Sequence, residues 1–141
     1  MKRKIPEDTN IFHYYNRNPK DKLTNDCVIR SIATATEKTW GEVYNALCEI
    51  GLKYGLMPND PKCYERYLKK LGWVKHKQPR KEDNTKYTGG EFVKTAEYKA
   101  IKENSVIAKI GSHHMTVIVN GMIYDTWNCT YNKVGNYWTK G

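Results

Sequence analysis

The dipeptide Asn120-Gly121 is the feature that most constrains how this chain can fold. It separates two apolar segments, residues 114–119 and 122–127, which are rich in β-branched and aromatic residues. Asn and Gly both accept positive φ, and this is what a two-residue hairpin turn requires. The pattern therefore predicts an antiparallel hairpin late in the chain, with Val119 opposite Met122.

The register of this hairpin brings polar side chains to one face. His114 opposes Trp127, and Asp125 lies two positions before Trp127 on the returning strand. Because side chains alternate along a strand, these three residues share a face, and His113 points to the other one. His114 and Asp125 are then diagonal neighbours within reach of each other. The register favours His114 over His113, and Asp125 over Asn128, as members of a site.

The segment around Cys27 predicts the start of a helix. Residues 24–26 are all N-cap types, and apolar residues follow them at helical spacing. A helix N-terminus favours the thiolate, which is the nucleophilic form of cysteine. A catalytic thiol also needs a base within hydrogen-bond reach and a third group that orients the base. Cys27, His114 and Asp125 are predicted to fill these three roles.

The remaining patterns place helices before strands. Residues 39–42 form a capping box for a second helix that Gly51 would end, and residues 60–61 begin a third helix. Residues 1–23 are predicted to be an irregular N-terminal arm of a single domain spanning 1–141. Strands are predicted at 73–74, 105–110, 114–119, 122–127 and, as an edge strand, 137–139. This order predicts an α+β fold, with N-terminal helices packed on a C-terminal antiparallel β-sheet.

Composition disfavours several classes of protein. No run of about 18 apolar residues is present, so neither a membrane span nor a membrane partner is expected. The four cysteines, 27, 48, 63 and 129, form no CxxC pair, so no metal, cofactor or disulfide framework is predicted. The net charge of +9 favours acidic partners, but the lysines are scattered and no nucleic-acid motif occurs. Nucleic acid is therefore a possible partner but not the favoured one.

A Cys on a core helix, followed along the chain by His and then Asp on the sheet, resembles the papain-like cysteine peptidase superfamily. Several stretches between residues 18 and 127 are also similar to short phage and prophage proteins of that type, namely Asn18-Pro-Lys, Asn25-Asp-Cys-Val-Ile-Arg-Ser-Ile, Thr39-Trp-Gly-Glu-Val-Tyr, Gly111-Ser-His-His-Met-Thr-Val and Tyr124-Asp-Thr-Trp. The resemblance implies a papain-like fold with Cys27, His114 and Asp125 as the triad. It also implies a viral or mobile-element origin, with a location in the host cytoplasm or the virion.

The chain departs from that superfamily at the oxyanion hole. A papain-like Gln usually lies five or six residues before the Cys, and here Lys22 and Asp21 occupy those positions. The backbone N–H of Cys27, together with Asn18 or Asn25, is the candidate replacement. Each Asn is equally well explained as a turn or cap residue.

Taken together, these features predict a cysteine hydrolase, a peptidase or an amidase. Cys27 attacks the carbonyl, His114 takes its proton and later protonates the leaving amine, and Asp125 fixes the imidazole tautomer. Trp127, on the His114 face, is predicted to line the cleft. The expected substrate is a peptide, a protein or peptidoglycan, and the oligomeric state is left open. The alternative is a non-catalytic basic protein on the same scaffold that binds nucleic acid or a virion component, which the missing Gln favours.

Overall fold

The computed structural model describes residues 4–141, in which helices pack on a six-stranded mixed β-sheet. The helices are α1 (Cys27–Thr36), α2 (Trp40–Tyr54), α3 (Pro61–Lys70), α4 (Gly89–Phe92) and α5 (Ala96–Lys99). The strands are β1 (Phe12–Tyr14), β2 (Trp73–His76), β3 (Ser105–Ile110), β4 (His114–Val119), β5 (Met122–Asp125) and β6 (Val134–Lys140). Their order across the sheet is β1-β5-β4-β3-β6-β2. The predicted α+β class is confirmed.

The predicted hairpin forms around Asn120-Gly121. Both turn residues have positive φ, 49° and 80°, and Val119 pairs with Met122 as expected. The returning strand β5 ends at Asp125, two residues earlier than predicted. The turn chemistry and the apolar alternation are local signals that agree, so the register was predictable from sequence.

The prediction that the arm 1–23 is irregular is wrong for its middle part. Residues 12–14 form β1, which pairs in parallel with β5, so the sheet is not purely antiparallel. Phe12 is fully buried, and the Tyr15 backbone N–H donates to the Asp125 carbonyl oxygen at 2.9 Å. Three residues are too few to show strand alternation, which explains the missed strand. Residues 1–3 of the arm lie outside the described residues.

Residues 137–139 form a strand as predicted, but the prediction that it is an edge strand is wrong, because it lies inside the sheet. It forms part of β6, which runs between β3 and β2. Trp138 of β6 pairs with Ile107 on one side and with Lys75 on the other, and its side chain is buried. Strand β2, which occurs early in the chain, takes the edge position instead.

Two apolar clusters hold the layers together. The first cluster packs α1, α2 and α3 against the sheet. The second packs α4 against β1 and the other strands of the sheet. The largest fully buried side chains include Ile32, Leu47, Leu68 and Ile107 in the first cluster and Phe12, Phe92, Ile118 and Ile123 in the second. Within residues 4–141, no helix has the length and hydropathy needed to cross a bilayer.

The prediction that Gly51 ends the second helix is wrong. The capping box of Thr39 and Glu42 begins α2 as predicted, but the helix continues to Tyr54 and is capped by Gly55 at a φ of 70°. The chain then turns back on the helix, and the Leu56 N–H donates to the Gly51 carbonyl oxygen at 2.8 Å. Gly51 is therefore required for a close backbone approach and not for a helix stop.

Replacing Gly51 by Ala is expected to destabilise the protein by about 1–3 kcal/mol, the usual cost of forcing a group into a packed site. Its Cβ would lie far inside contact distance of the Leu56 carbonyl oxygen. Gly41→Ala is the matched control, because a Cβ there has nothing within 4 Å. That variant should gain about 0.4–1 kcal/mol from reduced entropy of the unfolded chain. Urea unfolding of both variants measures the difference, and equal stabilities would contradict it.

Candidate active site

Cys27 is the first residue of α1 and is buried, with 9% of its surface exposed. Asp26 precedes it at the N-cap position, but its side chain makes no cap hydrogen bond to the helix. The Asp26 carboxylate accepts instead from Arg30 Nε at 2.8 Å, and from Asn18 Nδ2 and Trp40 Nε1 at 3.0 Å. A buried polar network therefore holds the start of α1 in place. Because the Asp26 side chain does not bond to the first N–H groups of the helix, these groups can interact with an anion.

His114 and Asp125 form a hydrogen-bonded pair across the hairpin. His114 Nε2 lies 2.6 Å from Asp125 Oδ2, as expected for diagonal neighbours on one face. The indole of Trp127 lies against the imidazole, with ring centroids 4.8 Å apart, and is 40% exposed. Because Nε2 is held by the carboxylate, Nδ1 is the nitrogen that remains for a second partner.

Asp125 is almost fully buried, at 1% exposure, and its two oxygens have several partners. Oδ1 accepts from the Thr126 N–H at 2.7 Å and from Arg30 Nη1 at 3.1 Å. The Cys129 thiol lies 3.5 Å from Oδ2. Arg30 therefore joins the two carboxylates of Asp26 and Asp125, which links the start of α1 to the end of β5.

Cys27 and His114 lie close enough for each to change the titration of the other. Burial alone would raise the pKa of the Cys27 thiol, but His114, the Met115 N–H and the positive charge of Arg30 together lower it. Burial alone would lower the pKa of His114, but hydrogen bonds with Asp125, Cys129 and Cys27 raise it to about 11. The site therefore stabilises the thiolate form of Cys27 and the imidazolium form of His114 relative to isolated side chains.

The pKa of Asp125 is held below its usual value. Burial acts in the opposite direction, but the hydrogen bond and charge of His114 and the charge of Arg30 outweigh it. The carboxylate therefore stays ionised and can keep the imidazole in one orientation.

The two oxyanion-hole candidates occupy different places. Asn25 is exposed and lines a pocket of about 240 Å³ that also contains Cys27. Asn18 is buried and does not line this pocket, since its amide donates to Asp26 and its Oδ1 accepts from the Lys20 N–H at 2.9 Å. Asn25 is therefore the better placed of the two to meet an oxyanion beside Cys27.

Two residues of the site were missed from sequence, Arg30 and Cys129. Arg30 lies four residues after Asp26, and this spacing on a helix is a signal for an ion pair that could have found it. Cys129 lies in the irregular segment after β5, where no periodicity or motif pointed to a contact with Asp125.

His114, Asp125 and Cys129 also form a compact set of metal-ligand types, with ligand atoms within 4.8 Å of one another. The His114–Asp125 distance of 2.6 Å is that of a direct hydrogen bond. Two ligands about 2.0–2.2 Å from one tetrahedral zinc ion would lie more than 3 Å apart. The cluster is thus arranged as a proton-holding network, with the Arg30 cation against its carboxylate.

Comparisons of this chain with protein-family models, with curated proteins and with solved structures find no match. Function must therefore be inferred from the residues of the site. These residues supply a thiol with a lowered pKa, an imidazole hydrogen-bonded to a buried carboxylate, and a pocket that Cys27 lines.

Proposed function

We propose that this chain is a papain-like cysteine hydrolase that cleaves an amide or peptide bond through Cys27, His114 and Asp125. The observation that carries the proposal is that His114 is hydrogen-bonded to Asp125 and also interacts with the Cys27 thiol. His114 Nε2 lies 2.6 Å from Asp125, and hydrogen bonding to the same imidazole lowers the pKa of Cys27. A nucleophile, a base and an orienting group in series are what thiol catalysis requires.

In the proposed reaction the Cys27 thiolate attacks the carbonyl carbon, and the negative charge moves to the carbonyl oxygen. In this proposal the Cys27 N–H and the Asn25 side-chain amide, which line the same pocket, donate hydrogen bonds to that oxygen. The His114 imidazolium gives its proton to the leaving amine, and a thioester remains on the sulfur. Water then loses a proton to the imidazole and attacks the thioester, which releases the acid and restores the thiolate–imidazolium pair.

The papain-like part of the proposal rests on the order of elements. The Cys lies on a helix that packs against the sheet, and the His and Asp follow it on a late hairpin. The proposed substrates are peptides, proteins or peptidoglycan, and the proposed setting is a phage-encoded protein in the host cytoplasm or the virion.

The proposal is tested by incubating the protein with a protein-derived peptide pool and, separately, with bacterial cell walls. New termini are identified by mass spectrometry. We expect cleavage products in one of the two samples and their complete loss in the Cys27→Ala variant. Cys48→Ala is the matched control, because Cys48 lies half-buried on α2, outside the site, and should retain cleavage. Products that persist without Cys27 would refute the proposal.

A further inference from the structure

The pocket of about 240 Å³ beside Cys27 is lined by the apolar residues Val28, Pro61 and Met115 and by several residues that donate hydrogen bonds or carry positive charge. Lys109 comes from β3, His113 directly precedes β4, Asn59 lies two residues before the start of α3, and Tyr64 lies on α3. Among the described residues that line this pocket, none is Asp or Glu. The space next to the nucleophile thus favours a negatively charged group.

Lys109 lines this pocket at an irregularity of the sheet. The pairing of β3 with β6 shifts register between Ala108 and Ile110, because the step from Tyr137 to Val134 on β6 is one residue longer than the step it faces on β3. Lys109 therefore lies opposite a bulge of β6, and bulges are over-represented beside active sites. Within residues 4–141, the ammonium of the half-buried residue Lys109 has neither an ion-pair nor a hydrogen-bond partner. A partly desolvated cation without a partner gains from binding an anion.

Tyr64 adds a second unpartnered group. Its side chain is only 3% exposed, and its ring lies edge-on to that of Trp138. In the described part of the chain its hydroxyl has no hydrogen-bond partner. Burial, followed by the nearby charges of Glu65 and Cys27, raises the pKa of Tyr64 to about 12. The hydroxyl therefore keeps its proton and is an available donor on the wall of the pocket.

We propose that this pocket binds a carboxylate of the substrate, so that the enzyme cleaves amide bonds next to an acidic residue. This inference rests on the proposed function and names its substrate class. A carboxylate offers two acceptor oxygens, which match the Lys109 ammonium and the Tyr64 hydroxyl. Hydrogen bonds to an ionised group are about twice as strong as neutral ones, so the match gives specificity as well as affinity.

Alkylation by iodoacetate and by iodoacetamide tests this pocket without the need for a known substrate. The two reagents differ mainly in charge, and in both the Cys27 sulfur displaces iodide. We expect the iodoacetate-to-iodoacetamide rate ratio at Cys27 to exceed that at Cys48 about tenfold, from one charge-assisted contact. Peptide mapping by mass spectrometry gives both rates in the same sample.

The Lys109→Gln variant should lower this ratio at Cys27 to that of Cys48. Lys94→Gln is the matched control, because it removes the same charge from an exposed position outside the pocket and should leave the ratio unchanged. A ratio at Cys27 that equals that of Cys48, or one that Lys109→Gln leaves unchanged, would overturn the carboxylate pocket. Neither result depends on whether Cys27 is needed for cleavage, so the two proposals fail separately.

The source of the carboxylate is resolved with peptidyl vinyl sulfones that carry L-Glu, γ-linked D-Glu or L-Gln next to the electrophile. Addition of the Cys27 thiolate to the vinyl group, with a proton from His114, labels the protein. Faster labelling by L-Glu than by L-Gln supports a protein substrate, and faster labelling by γ-D-Glu supports a bacterial wall peptide. Equal rates for all three probes would overturn the inference.

Discussion

Replacing Arg30 by Met is expected to lower the free energy of unfolding by about 3–5 kcal/mol. The Arg30 guanidinium is buried between the carboxylates of Asp26 and Asp125, at 2.8 and 3.1 Å. Met fills much of the same volume but leaves two buried negative charges without their shared cation. Urea unfolding monitored by circular dichroism measures the loss.

The matched control is Arg17→Met. Arg17 is half-buried and donates to the Tyr15 hydroxyl and the Lys38 carbonyl oxygen, both uncharged acceptors. Its loss should cost only about 1 kcal/mol, the usual net value of such hydrogen bonds. If both variants lose the same stability, Arg30 does not compensate buried carboxylates.

The pH dependence of the Arg30→Met loss gives a second check. Burial alone would raise the pKa of Asp125 in the wild-type protein. His114 and Arg30 outweigh this effect, so the pKa is lowered. The stability from an ionised carboxylate is present above the ordinary carboxyl pKa and is lost as the pH falls through the lowered pKa. In acid the carboxylates of the variant take up protons and lose their repulsion. The difference between wild type and variant should therefore shrink as the pH falls.

His114→Ala is expected to reduce the rate of amide cleavage by about 100- to 10,000-fold, the range that a positioned general base contributes. The variant removes the proton acceptor of Cys27 and the proton donor to the leaving amine. It also leaves Asp125 Oδ2 without the hydrogen bond of 2.6 Å. The value of kcat/KM on a cleaved peptide measures the loss.

His13→Ala is the control for loss of a histidine elsewhere. His13 lies on β1, where it pairs with Asp8 at 2.6 Å, outside the proposed site. This variant should keep its full rate. A His114→Ala protein that cleaves as fast as His13→Ala would exclude His114 as the base.

The core of the candidate site was predictable because its signals are local. Asn120-Gly121 determines the hairpin register, and this register favours His114 over His113 as the partner of Asp125. N-cap residue types located the start of α1 at Cys27. That the start of α1 lies beside the hairpin is a long-range prediction, which no local signal supports. It depends on the packing of α1 against β4, where the Ser31 hydroxyl donates to the Met115 carbonyl oxygen.

What sequence reasoning missed depends on contacts between distant segments. Strand β1 is defined by its pairing with β5, and β6 lies inside the sheet because β2 adds to its far side. The role of Arg30 depends on Asp125, which is 95 residues away along the chain. Periodicity within a short window carries no information about such partners.

The pH dependence of Cys27 alkylation by iodoacetamide tests the coupling of sulfur and imidazole most directly. Only the thiolate reacts, so the rate rises as the pH passes through the pKa of the thiol. A midpoint below that of an ordinary cysteine, about 8.5, is expected for the wild-type protein, and it should move to higher pH in His114→Ala. A midpoint at the ordinary value, or one unchanged by His114→Ala, would contradict the thiolate–imidazolium pair.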